Sequence, residues 1–144
     1  METHETGGRR LPATLEGVLG TAMTHEVITT RALGAKGEAI ALAHLRKKNY
    51  RIMARGFRLL RGEIDIIAYD AERLVFIEVK SRAGTDYGLP EESVTPRKQR
   101  QVRKIALGYL MDKNLGDADC RFDVISIVFL DEKSWTLTHY VDAF

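Results

Sequence analysis

Cysteine is almost missing from this chain: among 144 residues there is one, Cys120. A single thiol excludes an intrachain disulfide framework and a Cys-rich zinc site, and Cys120 is expected to fill a core or strand-edge position rather than to act as a nucleophile. No stretch approaches 18 consecutive apolar residues, and the first residues lack a basic segment followed by an apolar one. Neither a membrane span nor a secretory signal is expected, which reads as a cytoplasmic protein with no membrane partner. Internal repeats, low-complexity tracts and Gly-rich phosphate cradles of the G-x-G-x-x-G or P-loop kind are also missing. His139 has no His or Cys at ligand spacing, which speaks against a zinc role. No groove-reading motif is present either, so a sequence preference for nucleic acid is not legible.

A local absence is more informative. Between Ala39 and Gly62 there is no acid, while seven basic residues occur: Arg46, Lys47, Lys48, Arg51, Arg55, Arg58 and Arg61. Tyr50, Ile52, Met53, Phe57, Leu59 and Leu60 are interleaved with them, a pattern that predicts a strand. Overall charge is only +2, but residues 39–104 hold 15 basic against 8 acidic side chains and residues 105–144 hold 3 against 7. Such a split permits a basic face for a polyanion, with Arg55, Arg58, Arg61, Arg82, Arg97 and Arg100 as candidate phosphate contacts. The plain alternative is an edge strand protected from aggregation by charge.

At this length, with 44% hydrophobic residues, one globular domain with a real core is expected. We place it at residues 33–144, after an extension, residues 1–32, that is rich in Thr, Gly and Glu and reads as a mobile arm or a marginal helix between Leu15 and Ile28. Met23 reads as a candidate alternative start, since the residues with recognisable chemistry all follow it. Leu33 to Asn49 predicts a helix with basic residues in its last turn. Glu38 shares the azimuth of Ala41, Leu42 and Leu45, so it points with the apolar stripe; the alternative is an exposed acid favouring the helix N-terminus. Ala83 to Thr95 predicts a loop in which Tyr87 packs locally or stacks on a base. Thr95 and Pro96 predict the N-cap and first position of a second helix, with Val102, Ile105, Ala106, Tyr109 and Leu110 as its buried stripe. Lys98 and Gln99 lie where that stripe begins, so either can reach a site on the sheet, or the Lys98 stem simply covers apolar surface. Arg121 to Asp131 and Ser134 to Asp142 predict two further strands; Asp123, an acid inside an apolar run, is expected to pair with Arg121 or a backbone group.

The densest chemistry lies between Arg61 and Arg82. Ile64 to Tyr69 and Leu74 to Val79 are apolar runs split by Asp70-Ala71-Glu72-Arg73, a hairpin pattern. With an even-numbered loop, paired residue numbers sum to 143, so Asp65 faces Glu78 and Glu63 faces Lys80. Carboxylates about 5 Å apart repel by on the order of 3 kcal/mol at an effective dielectric near 20. A divalent cation, a raised carboxylate pKa or a different register would relieve that. Phosphodiester hydrolysis with a metal needs hard oxygen ligands and a positive group for the developing charge. Asp65 and Glu78 can hold Mg²⁺ (or Mn²⁺), Glu38 can add a ligand, and Lys80, on the Glu78 face, can orient water or stabilise the phosphorane. Lys98 or Gln99 would then meet the phosphate or nucleophile.

The segments GAKGEAIALAHL (Gly34 to Leu45), RGEIDIIAYD (Arg61 to Asp70), LVFIEVKSR (Leu74 to Arg82), the Lys98-Gln99 pair, RFDVISI (Arg121 to Ile127) and the terminal Ala143-Phe144 together resemble the YraN family of small bacterial proteins. The family is assigned to the PD-(D/E)xK nuclease superfamily and is similar to archaeal Holliday-junction resolvases. The resemblance implies an α/β fold with a restriction-endonuclease-like αβββαβ core, a central mixed sheet flanked by helices, and a Mg²⁺ site. It implies Asp65, Glu78 and Lys80 as the core triad, Glu38 as the acid from the first helix, and Lys98 or Gln99 as the auxiliary residue from the second. The activity implied is cleavage of DNA, branched or flapped, by a homodimer if two strands are cut; the alternative is a non-catalytic nucleic-acid-binding accessory protein on the same fold. A third reading is a structural or regulatory domain without nucleic acid. Where the family commonly has Asn after the Arg of the preceding strand, this chain has Gly56, a departure expected to carry no catalytic meaning.

Overall fold

The computed structural model describes residues 2–8, 30–84 and 94–144. The readings of Leu15 to Ile28, Met23 and Tyr87 fall outside the described residues. Eight elements follow one another: β1 (Glu2–Gly8), α1 (Thr30–Lys47), β2 (Arg51–Leu59), β3 (Gly62–Asp70), β4 (Arg73–Ala83), α2 (Pro96–Asp112), β5 (Cys120–Phe129) and β6 (Ser134–Tyr140). The strands form one mixed sheet in the order β1-β6-β5-β4-β3-β2, with β4 and β5 parallel and the other neighbours antiparallel. From α1 to β5 the order is αβββαβ, so the fold is the mixed-sheet α/β architecture read from the sequence, consistent with a restriction-endonuclease-like core. No helix among the described residues is long and apolar enough to cross a membrane.

The two faces of the sheet hold separate cores. On one, Ala41, Leu42 and Leu45 of α1 pack on Ile66, Val75, Ile77, Ile125 and Ile127. On the other, Val102, Ile105, Ala106 and Tyr109 of α2 pack on Ile64, Ile67, Leu74 and Phe76. Strands buried on both faces need near-continuous apolar runs, which is why β3, β4 and β5 lack the alternation of a half-exposed sheet. Thr95 caps α2, its Oγ1 accepting from the Lys98 amide at 3.2 Å with Pro96 next in line. A side chain at Gly108 would collide with Leu59, so the helix rests directly against β2. Ala143 N–H donates to the Phe122 carbonyl at 2.7 Å and Phe144 stacks on Phe122, which ties down the C-terminus.

Several element ends differ from the sequence reading, β4 running on to Ala83 and β5 stopping at Phe129 among them, and two differences bear on the site and the sheet. Helix α1 begins at Thr30, not Leu33, and has no acid in its first turn. Glu38 therefore lies two turns inside it, away from the N-terminal end of the macrodipole, which removes the explanation of Glu38 as a first-turn acid. Residues Glu2–Gly8, in the segment expected as an arm or a marginal helix, run antiparallel along β6 from Glu2↔Tyr140 to Gly8↔Ser134. Their β-branched threonines suit a strand, but the partner lies more than a hundred residues away in sequence. Lys48 Nζ donates to Thr3 Oγ1 at 3.1 Å beside it.

Candidate functional site

The β3–β4 hairpin has the expected register: Asp70↔Arg73, Tyr69↔Leu74, Ala68↔Val75, Ile67↔Phe76 and Ile66↔Ile77 all obey it, around the two-residue turn Ala71-Glu72. Pairing stops there. Ile64 packs with the α2 core and Ile66 with the α1 core, although residues two apart on a regular strand share a face. The alternation of β3 thus breaks at Asp65. Across from it on β2, between the pairs Arg55↔Ile66 and Phe57↔Ile64, lies Gly56 in the left-handed region at φ 58°. Gly and Asn are the residues that enter this region most readily, so Gly here and the Asn that the resemblance implies would share one backbone conformation. Gly56 thereby shapes the strand opposite a candidate catalytic acid, a role that spacing alone does not reveal.

Instead of facing Glu78 in a continued ladder, Asp65 turns its Oδ2 to accept the Val79 amide at 2.8 Å. Glu78 is 3% exposed; its Oε2 lies 3.8 Å from Lys98 Nζ and its Oε1 has no hydrogen-bond partner among the described residues. Burial is the main force raising the pKa of both acids. The Val79 bond and Lys80 partly oppose it at Asp65, where Glu63 and Glu38 add to the rise. Glu78 is pushed up to about 7, by burial first and then by the Asp65 charge, against the pull of Lys98 and Lys80. Of the three ways to relieve the two acids, two leave a trace: the register holds only as far as Ile66↔Ile77 and gives way at Asp65, and burial together with mutual repulsion raises both carboxyl pKa values. An orphaned carboxylate oxygen beside a second carboxylate in a buried floor fits a hard divalent cation, which would supply the missing partner.

Around this floor the site residues divide. Asp65, Glu78, Lys80 and Lys98 line one groove of about 610 Å³ with Arg58 and Arg61 at its rim. Glu38, on the other side of the sheet, is near enough to influence Asp65 and forms an ion pair with Arg55 at 3.7 Å. No group of three or more His, Cys, Asp or Glu close enough to hold a metal occurs among the described residues; the converging pair is Asp65 and Glu78. Gln99 is turned away: its amide donates to the Val94 carbonyl at 3.0 Å, and of the two α2 candidates only Lys98 meets Glu78. Glu63 does not face Lys80, because the ladder ends before it; it pairs with Arg58 of β2 at 3.3 Å. Arg97 and Arg100 line a second groove next to the first. Arg82 lies two residues beyond Lys80 on β4.

The other buried acid, Asp123, serves the fold. Arg121 Nε and Nη2 reach its two oxygens at 2.9 and 3.0 Å, the Asp142 amide donates to Oδ1 at 2.9 Å, and His139 lies 2.8 Å from Oδ2. Arg121 also donates to Asp70 at 2.8 Å and to the Tyr50 hydroxyl at 2.7 Å, and His139 meets His44 at 3.1 Å. Burial pushes Asp123 up, but these bonds more than offset it and hold the carboxyl below its usual range. Both partners expected for it, Arg121 and a backbone group, are present; His44 and His139 join through contacts too distant in sequence to foresee. Cys120 donates weakly to the Ala118 carbonyl at the start of β5, and burial raises its thiol pKa.

Residues 37–127 match the family model described as Uncharacterised protein family UPF0102. The UPF0102 protein of Geobacter sulfurreducens is 46% identical over 114 residues, 79% of this chain and 89% of that protein. That of Geotalea daltonii is 48% identical over 114 residues, covering 79% and 90%. That of Chlorobaculum tepidum is 53% identical over 104 residues, covering 71% and 81%. A family match spanning α1 to β5, with relatives this similar over most of their length, carries the resemblance seen in the sequence to a conclusion: this chain belongs to the UPF0102, or YraN, family.

Proposed function

We propose that the chain is a metal-dependent endonuclease that hydrolyses phosphodiester bonds of DNA, with branched or flapped duplexes as the expected substrates. The observation that carries this reading is Glu78 Oε1, which has no hydrogen-bond partner among the described residues, beside Asp65 in a groove that also holds two lysines and is rimmed by arginines. Asp65 and Glu78 would hold Mg²⁺ or Mn²⁺, with Glu38 in support. When bound, the cation polarises the scissile phosphate and lowers the pKa of a water. Lys80 stands on the Glu78 face and offers its ammonium to the oxygen on which negative charge develops. Lys98, with its Nζ 3.8 Å from Glu78 Oε2, would be placed to meet a phosphate oxygen at the same floor. Arg58 and Arg61 contact the flanking backbone and fix its register without reading bases. Cutting both strands of a branched duplex calls for two copies of the site, hence a homodimer.

A panel of labelled DNAs (linear, single-stranded, flap and four-way junction) incubated with Mg²⁺ or Mn²⁺ tests the reading. Cleavage by the wild type and its loss in Asp65→Ala and Glu78→Ala, with salt-sensitive binding kept, is the expected outcome. Binding without cleavage of any substrate would favour the accessory-protein reading, in which the Glu78–Lys98 pair is structural.

A further inference from the structure

Leu60 is an apolar side chain left largely in the open. It is 65% exposed and joins β2 to β3 with Arg61 as its only companion in the turn. Both residues are left-handed, at φ 53° and 60°. A two-residue hairpin loop with φ > 0 at both positions favours Asn-Gly or Asp-Gly; Leu-Arg there is strained. Strain of this kind points to a task outside the fold. The surroundings indicate which. Leu60 and Lys98 belong to both grooves: the one floored by Asp65 and Glu78, and a second of about 620 Å³ lined by Arg97, Arg100 and Lys104 with Thr95 and Gln101. Among the described residues no acid lines the second groove. Leu60 is thus an exposed apolar point on the ridge between two channels, one basic and one basic at its rim.

We infer that Leu60 is a wedge that enters the base stack of the DNA, so that the duplex breaks its axis over the ridge, one arm in the acid-floored groove and the other along Arg97, Arg100 and Lys104. The charge around Leu60 selects a polyanion over an apolar protein surface, and inserted leucines are a known means of opening a base step. A duplex whose stacking is already interrupted by a nick, flap or junction gives up less on insertion than a continuous one, so the wedge selects interrupted duplexes. This deepens the nuclease reading and rests on it for its purpose, but insertion itself needs no metal.

The test therefore runs in EDTA, with 2-aminopurine placed at a nick or branch point and, separately, in continuous duplex. Wild-type protein is expected to raise the fluorescence at the interruption and to bind that DNA about tenfold more tightly than continuous duplex. Leu60→Ala should bind both DNAs with equal affinity and no fluorescence rise. Leu60→Asn, which suits the left-handed turn and so preserves the hairpin, should do the same. Arg97→Ala with Arg100→Ala should weaken binding to both DNAs alike. A wild type that binds without unstacking, or a Leu60→Asn protein that unstacks as well as the wild type, would overturn the inference. Unstacking in EDTA without cleavage in Mn²⁺ would instead sink the nuclease reading and leave the wedge standing.

Discussion

Replacing Glu78 by Gln should make the metal-free protein more stable, and by an amount that depends on pH. Gln keeps the shape of a side chain that is 3% exposed but removes the charge that burial and Asp65 disfavour. The folded carboxyl titrates near 7 against 4.5 for an ordinary glutamate, so between those pH values the native state holds the proton more tightly than the unfolded chain. Stability contributed by that proton is present in full below pH 4.5 and is lost as the pH rises through 7. At 1.36 kcal/mol per pKa unit the folded carboxylate is unfavourable by about 3 kcal/mol at pH 8 and by about 1 kcal/mol at pH 5. For a chain of this length 3 kcal/mol corresponds to a rise in Tm on the order of 10 °C. Thermal unfolding in EDTA at the two pH values measures it. A Tm gain that is the same at pH 5 and pH 8, or a Gln variant less stable than wild type at pH 8, would refute the reasoning. Adding Mn²⁺ supplies the second arm: a ligand at a hundred times its Kd stabilises the wild type by about 2.7 kcal/mol, and should leave the Gln variant nearly unmoved.

Three further outcomes are expected. Gly56→Asn should fold and act like wild type, whereas Gly56→Val, a β-branched residue forced to φ 58°, should lower activity more than its loss of stability explains; cleavage rates alongside Tm separate the two effects. Asp123→Asn should destabilise by about 3–5 kcal/mol because it leaves Arg121 buried and underpaired. Since the Asp123 carboxyl is held low, the stability it contributes is present above the ordinary pKa and is lost as the pH falls through the folded one; the loss should therefore appear in acid unfolding curves of the wild type and be absent from those of the variant. Arg58→Ala and Arg61→Ala should each lower the slope of log affinity for DNA against log salt by about 1 without changing preference among linear sequences, which a filter-binding or anisotropy titration reads directly.

The hairpin was legible because its two apolar runs and even turn specify a register that one residue of slip would have turned inside out. Helix α2 was legible from its cap and stripe, and the pairing of Asp123 from its apolar context. What escaped the sequence has a common cause. The reversal of β3 at Asp65 and the left-handed Gly56 opposite it are backbone events, and hydrophobic period carries no record of φ. The extra turn that starts α1 at Thr30 has no apolar signature, yet it decides that Glu38 lies well inside the helix. The fixing of Gln99 by Val94 and the capture of Glu63 by Arg58 depend on neighbours that compete for a side chain. The pairing of β1 with β6, and the meeting of His44 with His139 across 95 residues, are contacts that local pattern cannot supply.

The central claim is that Asp65 and Glu78 form a metal-dependent phosphodiesterase centre. Its most direct test is the rate of cleavage of one labelled branched DNA as Mn²⁺ is raised from zero, in wild type and in Asp65→Ala. Saturable, Mn²⁺-dependent cleavage that falls by at least ~10²-fold in Asp65→Ala, with DNA affinity unchanged, is the expected result. Cleavage that persists undiminished in Asp65→Ala, or a wild type that binds the DNA and leaves it intact at every Mn²⁺ concentration, would contradict the account.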